Sequence, residues 1–217
     1  MSNVENLQLE FEKLVRDNIN RDGIENLLTF LAESNFYSNP ASTKYHGSYP
    51  GGLVEHSINV YYSLLDELTF IYGKGWETKY SRETVAIVSL FHDVCKINRY
   101  KEGTKNVKDA VTGQWHEERT YYYNESYKPM GHGALSVYTI MKYIQLTDDE
   151  ASAIFWHMGA FDIGIYNTVG DLANCYRQNT LAFALHRADM IATYIVENEN
   201  FEPLDLVEVN DLEESNN

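Results

Sequence analysis

The chain has 217 residues, which is enough for one substantial hydrophobic core, and this length favours one domain over two. Apolar residues make up 44% and charged residues 23%, as in ordinary globular proteins, and no apolar run approaches the roughly 18–20 residues of a membrane span. A net charge of −15 argues against a surface that binds extended nucleic acid through its backbone.

The two ends of the chain are polar. The first residues, MSNVENLQLEFEK, lack the basic and apolar regions of a signal peptide, and two cysteines are too few for a disulfide framework. Together these features favour a cytoplasmic location. Residues 197–217 contain eight acidic residues and no Lys or Arg, so we expect residues 198–217 to form an acidic, disordered tail.

Apolar residues recur at helical spacing through much of the chain. This periodicity predicts helices at about residues 3–17, 22–33, 52–73, 82–97, 133–145, 147–158 and 179–196. Gly73 marks the end of the third helix, and Ser81 is a candidate N-cap for the fourth. Thr147 and Glu150 have the spacing of a capping box at the start of the sixth helix.

A different pattern interrupts the helices at about residues 98–127. The sequence NVKDAVTGQWHEERTYYYNES has a Thr-Gly turn flanked by alternating and aromatic-rich residues, which is typical of a β-hairpin. The chain therefore reads as a mostly α-helical domain over residues 1–197, with this hairpin inserted.

Histidine and aspartate stand among apolar residues in five segments. These are GGLVEHS with His56, LFHDVCK with His92 and Asp93, MGHGALS with His132, IFWHMGAFD with His157, and LHRADMIATY with His186 and Asp189. Any one histidine on a core-facing helix is most simply a hydrogen-bonded core residue. A whole cluster of buried imidazoles and carboxylates, however, is tolerated best when a cation neutralises and coordinates it, so the set favours a metal site.

The ordered series His…His-Asp…His…His…Asp resembles the HD-domain metal-dependent phosphohydrolase superfamily. The settings GGLxEHS, LxHDxxK, GHxxxS and HRAD are most similar to the branch that contains the HD domains of bacterial 3′-to-5′ exoribonucleases and small bacterial and phage hydrolases. The resemblance covers roughly residues 45–195. It implies a single helical bundle of HD type.

The resemblance also implies a ligand set. His56, His92, Asp93 and Asp189 match the ligands of one ion, and His132 and His157 match those of a second ion in two-metal members, with Asp93 as the bridge. Mixed nitrogen and oxygen ligands with open water positions suit one or two ions of Mn²⁺, Fe²⁺, Co²⁺, Ni²⁺ or Mg²⁺ better than a closed structural zinc.

Two neighbouring residues bear on catalysis. Lys96 matches the lysine of HDxxK and is expected, with Asp93, to act in catalysis by placing an ammonium beside the transferred phosphoryl group; the alternative is a surface lysine. Cys95 departs from the small glycine found in many relatives, which puts the position of Lys96 in doubt. We expect Cys95 to be a free, buried thiol.

The hairpin region is locally cationic, with seven Lys and Arg against five acidic residues between positions 96 and 130. We predict that Arg99, Arg119 and aromatic residues such as Trp115 line the entrance to the site and bind substrate. The alternative, in which these aromatics only anchor the hairpin, stays open. His186 is a further candidate for substrate contact, for support of a ligand or for helix packing, whereas His46 and His116 are expected to be loop residues.

The sequence thus predicts an enzyme that hydrolyses a small anionic, phosphate-bearing substrate such as a nucleotide or short oligonucleotide, with no membrane partner. Two alternatives remain. A minority of HD-fold proteins hold a di-iron pair and are oxygenases, and a non-catalytic nucleotide-binding or signalling module could keep the fold. Six intact ligand positions argue against the last of these.

Overall fold

The computed structural model describes residues 3–164, 167–198 and 200–202. These residues form eight α-helices and one two-stranded sheet. The elements are α1 (Asn3–Asn18), α2 (Ile24–Glu33), α3 (Gly52–Tyr72), α4 (Arg82–Phe91), β1 (Tyr100–Lys108), β2 (Trp115–Tyr123), α5 (His132–Ile140), α6 (Asp148–Trp156), α7 (Val169–Gln178) and α8 (Thr180–Ile191). The predicted mostly α-helical fold with a small hairpin is confirmed. No helix in the described ranges is long and apolar enough to cross a membrane.

Helix α3 is the centre of the bundle and packs against α8, α4 and α1, while α6 packs against α8, α5 and α4. The apolar stripes of these helices meet in one core. Phe11 of α1, for example, is fully buried and its ring contacts those of Phe36, Tyr37 and Phe91. Each such buried side chain stabilises the fold by roughly 1.5–3 kcal/mol.

Three predicted helix boundaries, at Ser81, Thr147 and Gly73, are confirmed. The Ser81 side chain accepts a hydrogen bond from the Thr84 amide at the start of α4. Thr147 and Glu150 form a reciprocal capping box at the start of α6. Gly73 is the C-cap of α3 and has a φ of 70°, a conformation that glycine adopts without steric cost.

The prediction of one helix over residues 82–97 is wrong in its second half. Helix α4 ends at Phe91, Asp93 leaves the helical conformation (φ −107°, ψ 15°), and a 3₁₀ turn follows at Val94–Lys96. In a 3₁₀ turn, residues three apart are eclipsed, so the break aligns Lys96 with Asp93. Periodicity cannot reveal such a break because the apolar residues continue on both sides of it.

Two further differences lie in the C-terminal half. The predicted helix over residues 179–196 divides into α8 and a π-helical turn, Ala192–Val196. Helix α7 was not predicted, since its sequence VGDLANCYRQ is polar on average and buries only Leu172. Of the predicted acidic tail at residues 198–217, position 199 and residues 203–217 lie outside the described residues.

The hairpin has the predicted place in the chain. Strands β1 and β2 are antiparallel, with Tyr100 opposite Tyr123 at the base and Lys108 opposite Trp115 at the tip. Its residues are mostly exposed, apart from Tyr100 and Tyr121. The hairpin therefore projects from the bundle and contacts it near its base.

A close helix approach depends on a glycine beside a predicted ligand. A Cβ atom added at Gly133 in α5 would lie 2.1 Å from the carbonyl oxygen of Phe155 in α6. Only glycine therefore allows these two helices to approach so closely. The approach brings His132, at the start of α5, next to His157, at the end of α6.

Candidate metal centre

Asp93 is the centre of the cluster formed by the predicted site residues. Its Oδ1 atom lies 2.5 Å from Nε2 of His132 and 3.6 Å from Nε2 of His157. Its Oδ2 atom lies 2.6 Å from Nζ of Lys96. The carboxylate is almost fully buried, at 2% exposure, because it sits at the break after α4 and points into the bundle.

The other face of the cluster joins three helices. Nε2 of His56, from α3, lies 3.1 Å from Oδ1 of Asp189, from α8, and 3.4 Å from Nε2 of His92, at the end of α4. Both histidines also lie within 3.7 Å of Oδ2 of Asp93. The structure therefore brings His56, His92, Asp93, His132, His157 and Asp189 together in one buried cluster.

In two of the histidines, a hydrogen bond at Nδ1 determines whether Nε2 can bind a metal ion. His92 donates from Nδ1 to the carbonyl oxygen of Ser89 (2.7 Å), and His157 donates from Nδ1 to that of Ile154 (2.6 Å). A carbonyl can only accept, so in the neutral imidazole each Nε2 atom carries a free lone pair. Such backbone hydrogen bonds are the usual way in which a metal-binding histidine is oriented.

One buried nitrogen atom of the cluster lacks a hydrogen-bond partner. Nε2 of His157 is buried and has no hydrogen-bond partner among the described residues. Leaving such an atom unsatisfied costs about 1–3 kcal/mol. A metal ion would satisfy this lone pair together with those of His92 and the carboxylates.

His132 differs from the other histidines. Its Nδ1 atom accepts a hydrogen bond from Nη1 of Arg99 at 3.1 Å. A neutral His132 therefore carries its proton on Nε2 and donates it to Asp93. To bind a metal through Nε2, His132 would have to give up this hydrogen bond.

Burial and charge act in opposite directions on the cluster. Burial lowers the pKa of His92 to about 3, so its imidazole is neutral near pH 7. Burial would also lower the pKa of His56, but the carboxylates of Glu197 and Asp189 outweigh it and raise the pKa to about 10. A divalent cation between Nε2 of His56 and the Asp189 carboxylate would replace the proton that these two atoms share.

The central carboxylate is ionised. Burial opposes the charge on Asp93, but Lys96 and the surrounding imidazoles outweigh this and hold the pKa of Asp93 well below its usual range. The same contact with Asp93 raises the pKa of Lys96 against the effect of burial. The cluster thus combines two carboxylates with imidazole nitrogens, which is a suitable donor set for a divalent cation.

The spacing of the donor atoms also suits a metal ion. One ligand atom each from His56, His92 and Asp93 lie within 4.8 Å of one another, as do ligand atoms from His92, His157 and Asp189. Atoms from Asp93, Cys95 and His132 satisfy the same condition. The buried cluster could therefore hold a metal ion.

A cavity of about 260 Å³ opens onto the cluster. Asp93, Asp189 and His132 lie at one end of it, and Lys96 and Arg99 line its wall. The remaining lining residues include His186 and several apolar and aromatic side chains: Tyr100, Met158, Phe161, Met190 and Tyr194. The cavity thus combines carboxylates of the cluster with one buried and one half-buried cation.

The hairpin contributes to this cavity only through its base. The guanidinium of Arg99 lies 5.6–5.9 Å from the rings of Tyr100, Tyr123 and Tyr127, which hold it in place. Trp115 and Arg119 are not among the lining residues. Trp115 lies at the hairpin tip with 67% of its surface exposed, and Arg119 forms an ion pair with Glu102 on the facing strand.

The structure also resolves the roles left open for His186 and Cys95. His186 donates from Nδ1 to the carbonyl oxygen of His157 (2.6 Å), and its ring stacks on Tyr176, so it supports a cluster residue as well as lining the cavity. Cys95 is a free, buried thiol, as predicted. It does not displace Lys96 from Asp93.

Sequence reasoning missed three residues. Asp162 accepts hydrogen bonds from the amides of His132 and Gly133 and so fixes the start of α5. Glu197, assigned to the edge of the acidic tail, contacts His56. His46, expected to be an ordinary loop residue, packs against the His56 ring and lines the cavity. The Pro- and Gly-rich loop around His46 gave no periodic signal that could have revealed this contact.

The chain matched no protein-family model, no curated protein and no solved structure. Its own fold and site define a mostly α-helical protein with a buried histidine–aspartate cluster that could hold a metal ion.

Proposed function

We propose that this protein is a metal-dependent phosphohydrolase of the HD type, acting on a small phosphate ester or anhydride such as that of a nucleotide or short oligonucleotide. One observation supports this most strongly. A buried cluster of histidines and aspartates lies at the end of a cavity whose wall carries the cationic side chains of Lys96 and Arg99. Metal ligands beside cationic side chains can activate water and stabilise the charge of a phosphoryl group during hydrolysis.

The residues that would hold the ion are His56, His92, Asp93 and Asp189, with His157 as a further donor. Mn²⁺, Fe²⁺, Co²⁺, Ni²⁺ and Mg²⁺ are the candidate metals, since the donors are imidazole nitrogens and carboxylate oxygens. When bound, the ion supplies a Lewis acid that activates water and neutralises charge on phosphate oxygens.

Lys96 and Arg99 supply the remaining positive charge. The Lys96 ammonium is held at 2.6 Å from Asp93 and is 8% exposed, so it presents its other donors to the cavity. Arg99 is fixed by three tyrosine rings, and its planar guanidinium suits two phosphate oxygens at once. Because both cations are preorganised, they lose little freedom when an anion binds.

The size of the cavity favours a small substrate. Its volume of about 260 Å³ is just below the range of roughly 300–1,000 Å³ that is common for small-molecule sites. One phosphoryl group and one organic group of moderate size would fill it. The aromatic and apolar lining opposite the cluster suits the organic group.

The test is a hydrolysis screen with the metal-stripped protein reloaded separately with each candidate ion. Nucleotides, cyclic nucleotides, short oligonucleotides and simple phosphate monoesters serve as substrates, and Asp93→Asn is the control. We expect hydrolysis with at least one ion and none from the variant, measured as phosphate or pyrophosphate released from monoesters and anhydrides and as nucleotide product formed from cyclic nucleotides and oligonucleotides. Equal hydrolysis by both proteins would contradict the proposal, as would O₂ consumption by an iron-loaded preparation without hydrolysis of any phosphate ester.

A further inference from the structure

Glu197 lies beyond the predicted ligand series, yet it contacts one of its members. Its Oε1 atom lies 2.9 Å from Nδ1 of His56 and 3.0 Å from Nδ2 of Asn59, one turn further along α3. The Glu197 side chain is only 6% exposed. This acidic residue is therefore part of the buried interior and not of a solvated tail.

The local backbone explains how Glu197 reaches this position. On an ideal α-helix the eight-residue step from Asp189 to Glu197 covers about 2.2 turns, so the two side chains would diverge by about 80°. Instead, the Glu197 amide bonds to the carbonyl oxygen of Ala192, five residues earlier, at the end of the π-helical turn. A π turn takes more residues per turn, so the eight-residue step approaches two whole turns and both carboxylates face α3.

Both carboxylates contact the same imidazole, at different nitrogens. Asp189 lies against Nε2 of His56, on the side of Asp93, and Glu197 lies against Nδ1. A carboxylate on Nδ1 keeps the proton there, leaves the Nε2 lone pair free for a metal and makes that nitrogen more basic. Glu197 thus acts on His56 as the carbonyl oxygens of Ser89 and Ile154 act on His92 and His157, but with a full negative charge.

We propose that Glu197 is a positioning residue that orients His56 and strengthens it as a metal ligand. The inference rests on the metal centre of the proposed function, but not on phosphate chemistry. It predicts that the affinity for metal depends on Glu197 although this residue need not touch the ion. It also predicts that the π-helical turn is required at the site, since an α-helical continuation would turn Glu197 away from His56.

The experiment compares metal binding by the full-length wild-type protein, Glu197→Ala, Glu197→Gln and Glu55→Gln. Glu55→Gln is the matched control. Glu55 is adjacent to His56 in sequence, but its carboxylate accepts a hydrogen bond from the Tyr49 hydroxyl. Each protein is stripped with a chelator and titrated with Co²⁺, and the visible absorption of bound Co²⁺ is recorded. Melting temperatures of the stripped proteins show whether each variant folds.

We expect Glu197→Ala to bind Co²⁺ about 10- to 100-fold more weakly, with an altered Co²⁺ absorption spectrum. Glu197→Gln should recover part of the affinity, because its amide oxygen still accepts a hydrogen bond from His56. The control should stay within about twofold of the wild type.

A folded Glu197→Ala variant with wild-type affinity and spectrum would overturn the proposal. The proposal would also be overturned if Glu197→Ala bound one Co²⁺ ion fewer than the wild type and bound the remaining Co²⁺ with unchanged affinity. Glu197 would then be a ligand of a separate ion. Co²⁺ binding that weakens in the expected order, in a protein that hydrolyses no phosphate ester, would contradict the proposed function and support the role of Glu197.

Discussion

His132 and Asp93 are joined by a 2.5 Å contact between Nε2 and Oδ1, while Nδ1 of His132 accepts a hydrogen bond from Arg99. His132 is thus the one predicted ligand whose Nε2 atom, in the neutral ring, points a proton at the centre of the cluster. His157, in contrast, points an unpartnered lone pair there. We therefore expect one ion that is held without His132, and not two ions that both depend on Asp93.

The first prediction follows from this contrast. His132→Ala should retain one metal ion, with affinity within about tenfold of the wild type, because the other donors do not depend on it. His157→Ala should weaken that ion more strongly. Calorimetric titration of the stripped proteins with Mn²⁺ or Co²⁺ measures both. Two ions in the wild type and one in His132→Ala would instead place His132 at a second metal site.

The second prediction concerns the centre of the cluster. His92→Ala and Asp93→Asn should each weaken metal binding by more than about 100-fold, beyond the effect typical of a residue that only supports a ligand. His116→Ala is the control, since the exposed His116 lies near the hairpin tip. Far-ultraviolet circular dichroism should show an intact helical fold in all three. If folded Asp93→Asn binds one equivalent of metal with wild-type affinity, Asp93 is not a metal ligand.

The third prediction separates the base of the hairpin from its tip. Arg99→Ala should raise the KM for a phosphate substrate about tenfold, or roughly 1.4 kcal/mol, because Arg99 lines the cavity. Arg119→Ala removes the same charge from the same hairpin but only breaks an exposed pair with Glu102, which is worth about 0–1 kcal/mol of stability. Its KM should not change. An equal rise in both variants would mean that the whole hairpin contacts substrate.

The fourth prediction concerns a buried ion pair far from the metal centre. Glu150, which is 0% exposed, binds Arg21 through both carboxylate oxygens at 2.5 and 3.0 Å and accepts a hydrogen bond from Thr84. Burial would raise the pKa of Glu150, but these partners outweigh it and lower the pKa below its usual value of 4.5. Glu150→Gln removes the buried carboxylate, whereas Arg21 keeps its ion pair with Glu83 at 2.9 Å, so the variant should be destabilised by about 1–3 kcal/mol at pH 7.

This effect should depend on pH in a defined direction. A carboxyl whose pKa is lower in the folded state contributes stability that is complete above its unfolded pKa and is lost as pH falls through the folded pKa. The difference between wild type and Glu150→Gln in urea denaturation should therefore be constant above about pH 5 and shrink below pH 4. Glu33→Gln, at an exposed position, should show little difference at any pH. A Glu150→Gln effect that is independent of pH would exclude the ion pair as its cause.

The sequence alone determined the helical class of the fold, most helix starts and the hairpin. These depend on interactions between residues close together in the chain, such as the capping box of Thr147 and Glu150 and the apolar stripes of α1 and α3. The six clustered histidines and aspartates were also found from sequence, because polar residues in apolar surroundings stand out without any knowledge of their neighbours.

Only the tertiary structure decided how those residues are used. The break after α4, the contact of His132 with Arg99, the buried contact of Glu197 with His56 and the place of His46 all depend on residues distant in sequence. Trp115 and Arg99 lie in the same cationic hairpin, yet only Arg99 reaches the cavity. Composition and spacing assign both residues to one segment and cannot tell them apart. In the structure, three tyrosine rings pack around Arg99 at the base of the hairpin, whereas the strands carry Trp115 out to its tip. The direction of each side chain is therefore set by contacts between residues that the sequence pattern does not reveal.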